Sequence, residues 1–215
     1  MAFRGLEGVR GLMCLWVIVS HTVTMAGIQV YKSTGAGKLL ANGGIAVDVF
    51  VILSGFVICL ILSKKKEAYG PYLARRAFRI FPVYLVCLVI SFFITDISIL
   101  ALEGFQFEHP KTERRLEIFQ NFKDAPFIHT FLHTLLLHGL IPNHYLTDTA
   151  YTLMGQAWSL TLEFQFYILA PLILYFITSS KIKFIVTILL LLIVESYARV
   201  LWDIKASSLP IAITS

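Results

Sequence analysis

Long apolar runs separated by short polar segments dominate the pattern of this 215-residue chain. A helix needs roughly 20 mostly apolar residues to cross about 30 Å of hydrocarbon. Five runs meet this requirement, and they cover residues 8–30, 44–63, 78–102, 157–178 and 184–202. A sixth apolar segment, residues 127–141, is shorter, and its pattern does not distinguish a short span from a re-entrant or interfacial helix. The pattern therefore predicts an all-α, polytopic bundle of transmembrane helices.

The composition agrees with this prediction. Hydrophobic residues make up 57% of the chain and charged residues only 14%, whereas about a quarter of the residues of a soluble domain are charged. A soluble domain is therefore excluded, and membrane lipids rather than nucleic acid are the expected surroundings. The three cysteines lie inside apolar runs, as small core residues do, and have no metal-ligand spacing.

The distribution of basic residues predicts the orientation. Lys64 to Lys66, Arg75 and Arg76 lie between the second and third apolar runs, and Arg79 lies at the start of the third; Glu67 is the acidic residue that offsets them. Basic loops favour the cytoplasmic side of a membrane. We therefore expect this loop and the N-terminus to be cytoplasmic, with a retained first helix rather than a cleaved signal peptide.

The first apolar run carries two ionisable residues, Arg10 and His21. Their separation of eleven residues corresponds to three helical turns within about 20°, so both side chains lie on one stripe about 16 Å apart. Arg10 is explained equally well by a side chain that reaches from a helix end to the membrane surface. His21 is either a buried imidazole bonded to a neighbouring helix or a functional group, and the second reading is the default for an intramembrane ionisable residue.

Two acidic residues lie in later apolar runs. Asp48 follows Gly43 and Gly44, which allow close helix approach; it is either a partner that orients His21 or a carboxylate stabilised at a helix start. Glu163 shares a helical stripe with Ser159 and Tyr167. It is interpreted as a site acid or base, with an interhelical hydrogen-bond clamp as the structural alternative.

The remaining candidates are basic. Arg75 and Arg79 share a helix face, and with Arg76 they form either a lipid-contacting topology signal or a phosphate clamp. His129, His133 and His138 suggest a metal site at first, but no acidic residue joins them and zinc needs three or four ligands. A half-buried polar stripe is the better interpretation, so no metal is expected.

Four segments taken together resemble the integral-membrane acyltransferase family 3, which includes bacterial O-acetyltransferases of surface polysaccharides. They are "LEGVRGLMCLWVIVSH", "GGIAVDVFVILSGF", "RRAFRIFPVY" and "AWSLTLEFQFYILAP", in this order. The resemblance implies transfer of an acyl group, commonly acetyl, from cytoplasmic acyl-CoA to a hydroxyl of a carbohydrate or lipid-linked glycan outside. Acyl-CoA is then the donor substrate, no cofactor is bound, and the location is a bacterial inner membrane.

The resemblance also implies roles for single residues. The family's arginine–histidine signature falls on Arg10 and His21, its glycine-rich aspartate motif on Asp48 and its glutamate on Glu163. Its arginine motif falls on Arg75, Arg76 and Arg79. The implied catalytic residues are His21, Asp48 and Glu163, and the implied acyl-CoA-binding residues are Arg10, Arg75, Arg76 and Arg79.

Length limits this expectation, since relatives carry more spans. Residues 1–215 are therefore expected to be the N-terminal half of a membrane acyltransferase domain, with a C-terminal half as a missing partner. Two alternatives remain open from the residues: a proton-coupled membrane transporter or flippase, whose intramembrane charges form a proton relay, and a truncated, non-catalytic remnant.

Overall fold

All regular elements in the described part of the chain are helices. A computed structural model describes residues 2–25, 35–64, 67–104 and 112–201. Its α-helices are α1 (Ala2–Met25), α2 (Ala36–Ala41), α3 (Gly43–Lys64), α4 (Tyr69–Glu103), α5 (Thr112–Asp124), α6 (Pro126–Thr134), α7 (Trp158–Ser179) and α8 (Lys181–Leu201). Short 3-10 turns cover His138–Leu140 and Gly155–Ala157. The predicted all-α class is confirmed.

Four stretches of the described helices are long and apolar enough to cross a membrane: Gly5–Val23, Gly43–Lys64, Tyr69–Glu103 and Gly155–Ser179. They coincide with four of the five predicted spans, although residues 26–30 of the first span lie outside the described residues. The predicted fifth span, residues 184–202, falls on helix α8 except for residue 202, which is not described. The chain is a multi-pass membrane protein.

The predicted start of the third span is wrong as a helix boundary. Helix α4 begins at Tyr69, not at Phe78, so the three arginines lie inside the helix and do not precede it. The reason is a continuous buried face, which Tyr72, Ile80, Tyr84 and Leu88 form at multiples of four residues. This face runs through the basic segment, while the positive charges lie beside it.

The short apolar segment 127–141 does not form one helix. Helix α6 has nine residues, which corresponds to about 14 Å, less than half of the hydrocarbon thickness. After Thr134 the chain turns through Leu136, whose φ is 55°, and enters the 3-10 turn at His138. A single membrane crossing by this segment is therefore excluded.

The chain divides into two compact units, one ending at Ile61 and the other beginning at Leu62. In the first unit, helix α1 contacts the end of α2 and the start of α3. The Trp16 Nε1–H donates to the Leu40 carbonyl at 3.2 Å, and the Ser20 hydroxyl donates to the Ala41 carbonyl at 2.7 Å. The Gly43 N–H in turn donates to the Ser20 hydroxyl at 2.9 Å.

In the second unit, helix α4 packs against helix α7. The Phe81 and Phe164 rings meet edge to face at 5.2 Å, and the Tyr69 hydroxyl donates to the Ile168 carbonyl at 3.2 Å. The loop before α7 is held by buried Asp148. Its carboxylate accepts hydrogen bonds from Arg114 at 2.5 Å and from the Asn121 amide at 3.0 Å.

Candidate functional site

The first group of predicted site residues lies on helix α1. The Arg10 guanidinium lies over the Phe50 ring of α3, 4.7 Å from its centroid. His21 follows buried Ser20 and is itself exposed. Among the described residues its ring forms no hydrogen bond, so the alternative of a buried imidazole bonded to a neighbouring helix gains no support there.

Asp48 and His21 are not brought into contact. Ser20 lies level with Gly43, and Asp48 is half-buried five residues further along α3. Since α1 and α3 run in opposite directions at this contact, Asp48 and His21 lie about 9 Å apart along the helix axes. Within the described residues no hydrogen bond joins them. A direct orienting role for Asp48 would therefore need another group between the two.

Glu163 is buried near the start of helix α7. The Tyr167 hydroxyl, one turn further along the same helix, donates a hydrogen bond to Glu163 Oε1. Ser159, the third member of the predicted stripe, instead donates to the Gln156 carbonyl at 3.5 Å. The bond from Tyr167 joins residues of one helix, so it is not the interhelical clamp considered from sequence.

The three arginines of helix α4 have different surroundings. Arg75 is exposed and forms an ion pair with Glu67, and Arg79 is exposed as well. Arg76 is half-buried, with its guanidinium 5.8 Å from the Tyr72 ring centroid and 5.6 Å from the Tyr167 ring centroid. The arginine motif and the glutamate are therefore connected through Tyr167.

The predicted residues fall into both compact units. Arg10, His21 and Asp48 belong to the unit that ends at Ile61, and the three α4 arginines and Glu163 belong to the unit that begins at Leu62. Sequence reasoning missed Tyr72, which is fully buried beside Arg76. Its position four residues before Arg76 on one helix is the signal that would have found it.

His129, His133 and His138 are fully buried rather than half-buried as predicted. His133 and His138 stack at 3.9 Å, and His133 Nε2 lies 3.0 Å from the Thr149 carbonyl oxygen. Threonine hydroxyls contact the two other rings: Thr152 lies 3.3 Å from His129 Nδ1, and Thr161 lies 2.9 Å from His138 Nε2. Within the described ranges, no group of three or more His, Cys, Asp or Glu side chains is arranged to hold a metal ion.

Burial keeps these histidines neutral. Loss of solvation lowers the pKa of His133 to about 2, and the neighbouring His138 ring acts in the same direction. Burial lowers the pKa of His138 to about 4, against the opposing effect of the Ala157 carbonyl. The pKa of His129 is lowered by burial as well. The cluster therefore carries no charge near neutral pH and stabilises the fold through hydrogen bonds.

Comparison of this chain with known proteins supports a single family assignment. Residues 3–214 match the acyltransferase 3 family model, which describes an acyltransferase domain. Over 184 residues the chain is 26% identical to an O-acetyl transferase of Shigella phage Sf6, an alignment that covers 85% of this chain and 49% of the phage protein. The chain thus spans about half the length of this curated relative. No solved structure matches.

Proposed function

The chain belongs to the acyltransferase 3 family of membrane proteins, and on this premise we propose that its protein transfers an acyl group to an acceptor hydroxyl. The family match over almost the whole chain carries the proposal, and the O-acetyl transferase relative favours acetyl as the group transferred. The donor is acyl-CoA, and the acceptor is a carbohydrate or a lipid-linked glycan. Because the chain spans about half of that relative, the proposal concerns the activity of the whole protein.

The proposed donor site uses positive charge. Guanidinium groups bind phosphate through paired hydrogen bonds, and CoA carries several phosphate groups. Arg75 and Arg79 project from helix α4 as exposed cations, while Arg10 and Arg76 lie against aromatic rings. The resemblance implies acyl-CoA binding for each of these four arginines, of which Arg10 belongs to the first unit and the other three to the second.

The proposed orientation follows from the basic segment between α3 and α4. Positively charged loops remain on the cytoplasmic side, which is where acyl-CoA is made. The N-terminus is then cytoplasmic too, because α3 and α1 each cross once between it and the basic segment. We assign the protein to the inner membrane of a bacterium, where a glycan acceptor is reached from the opposite face.

His21 is the proposed centre of the reaction, since histidine is the usual general base near neutral pH. As base, the imidazole takes the acceptor hydroxyl proton while the hydroxyl oxygen bonds to the thioester carbonyl carbon. The carbon–sulfur bond then breaks, and the CoA sulfur leaves with that proton as a thiol. As acyl carrier, the imidazole nitrogen bonds to the carbonyl carbon, the carbon–sulfur bond breaks, and the CoA sulfur leaves with the ring N–H proton as a thiol. The acceptor hydroxyl then attacks the acyl carbon, the carbon–nitrogen bond breaks, and the imidazole takes up the hydroxyl proton. The resemblance also implies catalytic roles for Asp48 and Glu163, and we propose that each is a carboxylate that takes part in proton transfer.

Substitution of His21 tests both versions. The complete gene product is expressed with His21→Ala, and O-acetyl groups on surface glycans are measured by mass spectrometry beside a strain that lacks the gene. Loss of a general base lowers rates by roughly 10²–10⁴-fold, so acetylation falls to the level of the deletion strain. His144→Ala changes an exposed histidine of the loop before α7 and retains acetylation.

Two outcomes would contradict the proposal. Full acetylation by a membrane-inserted His21→Ala protein removes the role of the histidine. Unchanged glycans in the deletion strain, together with uptake of a solute into vesicles without covalent change, would indicate a transporter or flippase instead of an acyltransferase.

A further inference from the structure

Tyr167 joins two features that the sequence presents separately. Its hydroxyl donates to the buried carboxyl of Glu163, and its ring lies 5.6 Å from the Arg76 guanidinium carbon. Tyr167 is itself 1% exposed. One side chain on α7 therefore contacts both the glutamate of its own helix and the central arginine of α4.

The place of Arg76 differs from that of its neighbours. Arg75 is paired with Glu67 and Arg79 is exposed, so both guanidinium groups lie outside the contact between helices α4 and α7. The Arg76 Nε is buried and has no hydrogen-bond partner among the described residues. Two tyrosine faces, those of Tyr72 and Tyr167, flank its guanidinium. Such contact with aromatic faces fixes a guanidinium without a counter-ion.

A hydrogen bond between α4 and α7 helps to hold the ring of Tyr167 in place. The Tyr69 hydroxyl bonds the carbonyl of Ile168, the next residue along α7, at 3.2 Å. This bond ties the first turn of α4 to the turn of α7 that carries Tyr167. The contact between α4 and α7 therefore determines the relative positions of the Tyr167 ring, the Arg76 guanidinium and the Glu163 carboxyl.

We propose that Tyr167 is a positioning residue, whose hydroxyl fixes the Glu163 carboxyl while its ring holds Arg76. The inference rests on the proposed function only in giving Glu163 a part in proton transfer. Of the three arginines, Arg75 and Arg79 then supply the accessible cations of the donor site. Arg76 acts chiefly through the Tyr167 ring and sets the geometry of the glutamate.

Reactivity of Glu163 with the membrane-permeant reagent dicyclohexylcarbodiimide tests the contact without any turnover. Removal of the Tyr167 hydroxyl in Tyr167→Phe keeps the ring but removes one donor from the carboxyl. A hydrogen bond of ordinary strength corresponds to about fivefold, so labelling of Glu163, measured by peptide mass spectrometry, rises by about that factor. Tyr175→Phe makes the same change at an exposed tyrosine of α7 and leaves labelling unchanged. Glu163→Gln abolishes the label.

A second pair of variants tests the ring without altering Tyr167. Arg76→Lys replaces a planar group by a point charge that stacks poorly, which loosens the ring and raises the labelling of Glu163. Arg79→Lys makes the same replacement at an exposed position three residues further on and leaves the labelling as it was. Equal labelling of Glu163 in these two variants would overturn the role assigned to Arg76.

Kinetics separate positioning from general damage. In membranes that contain the complete gene product, with acetyl-CoA as the varied substrate, Tyr167→Phe lowers kcat about fivefold, the factor that corresponds to one hydrogen bond of ordinary strength. The KM for acetyl-CoA stays constant, because the accessible arginines are unchanged. Tyr167→Leu removes the ring as well, so Arg76 loses its contact and kcat falls further, again with KM unchanged.

The two proposals fail in different ways. Absence of acetyl-CoA-dependent turnover by the unaltered protein contradicts the proposed function, and the labelling results remain valid by themselves. If the unaltered protein is active, and Tyr167→Phe matches it in both labelling and kcat, the positioning role of Tyr167 is wrong.

Discussion

The closest helix approach in the first unit depends on a single glycine. A Cβ atom added at Gly43 would lie 2.9 Å from Ser20 Oγ and 3.0 Å from Ser20 Cβ, distances that real side chains do not tolerate. The Gly43 N–H also donates to the same hydroxyl. The residue therefore allows α1 and α3 to meet and supplies part of the polar contact between them.

We expect Gly43→Ala to destabilise this contact. The added methyl group forces Ser20 to move, and overpacking of this kind costs about 1–3 kcal/mol. Thermal unfolding of the purified chain in detergent measures the effect. The control is Gly8→Ala on α1, where an added Cβ meets no other atom within 4 Å. Equal melting temperatures for the two variants would show that the Ser20–Gly43 contact contributes nothing.

Single residues also show how far the sequence could be interpreted. The glycines before Asp48 predicted close approach, and the contact at Gly43 confirms it. The partner, Ser20, was not predictable, because hydropathy does not say which faces of two apolar helices meet. The stripe of Glu163 and Tyr167 was recognised because its residues share one helix. The position of Arg76 against Tyr167 required the structure, because it depends on which faces of α4 and α7 meet.

At the scale of elements, composition predicted spans better than boundaries. Apolar runs identified α3 and α7 to within a residue at each end. The start of helix α4 was predicted nine residues too late, because its basic residues outweighed the spacing of Tyr72, Ile80 and Tyr84. The segment that includes α6 was ambiguous because it is short and its pattern fits several kinds of helix, and the full burial of its histidines among threonine hydroxyls was not predicted. Burial of this kind depends on tertiary contacts.

The histidine cluster makes stability depend on pH. Below pH 6.5 the unfolded chain binds protons at these rings, whereas folded His138 and His133 remain neutral down to a pH of about 4 and about 2. Because the unfolded state binds more protons, the free energy of unfolding decreases as the pH falls. At pH 5 the loss is about 2 kcal/mol for each of these two histidines.

A pair of asparagine variants measures this dependence. The melting temperature of the unaltered chain in detergent falls between pH 7 and pH 5. His138→Asn removes one titrating group and makes the fall shallower. His144→Asn, at an exposed loop position, leaves the fall unchanged. A melting temperature that does not vary over this range would contradict the neutral, buried state of the cluster.

At the scale of the whole molecule, orientation is the property that the charge pattern predicts most directly. The arginines lie near the first residue of α4, and α5 follows its other end. The two regions therefore lie on opposite sides of a membrane if α4 crosses it. The excess of basic residues predicts that the arginine side faces the cytoplasm.

Cysteine labelling tests this orientation. The three native cysteines are replaced by alanine, and a new cysteine is placed at Ala74 on α4 or at Glu113 on α5, both exposed. A membrane-impermeant maleimide added to intact cells labels Glu113→Cys, and Ala74→Cys reacts only after the cells are opened. The opposite pattern would invert the proposed topology and place the donor arginines away from the cytoplasm.

The length of α4 constrains how this helix sits in a bilayer. Its 35 residues extend about 52 Å at 1.5 Å per residue. Tilting alone would need an angle of about 55° to fit this length within about 30 Å of hydrocarbon, whereas membrane helices tilt by at most about 40°. Part of the helix therefore lies outside the hydrocarbon core. Any ligand of its arginines meets a fixed spacing of charges, not a loop that must first be ordered.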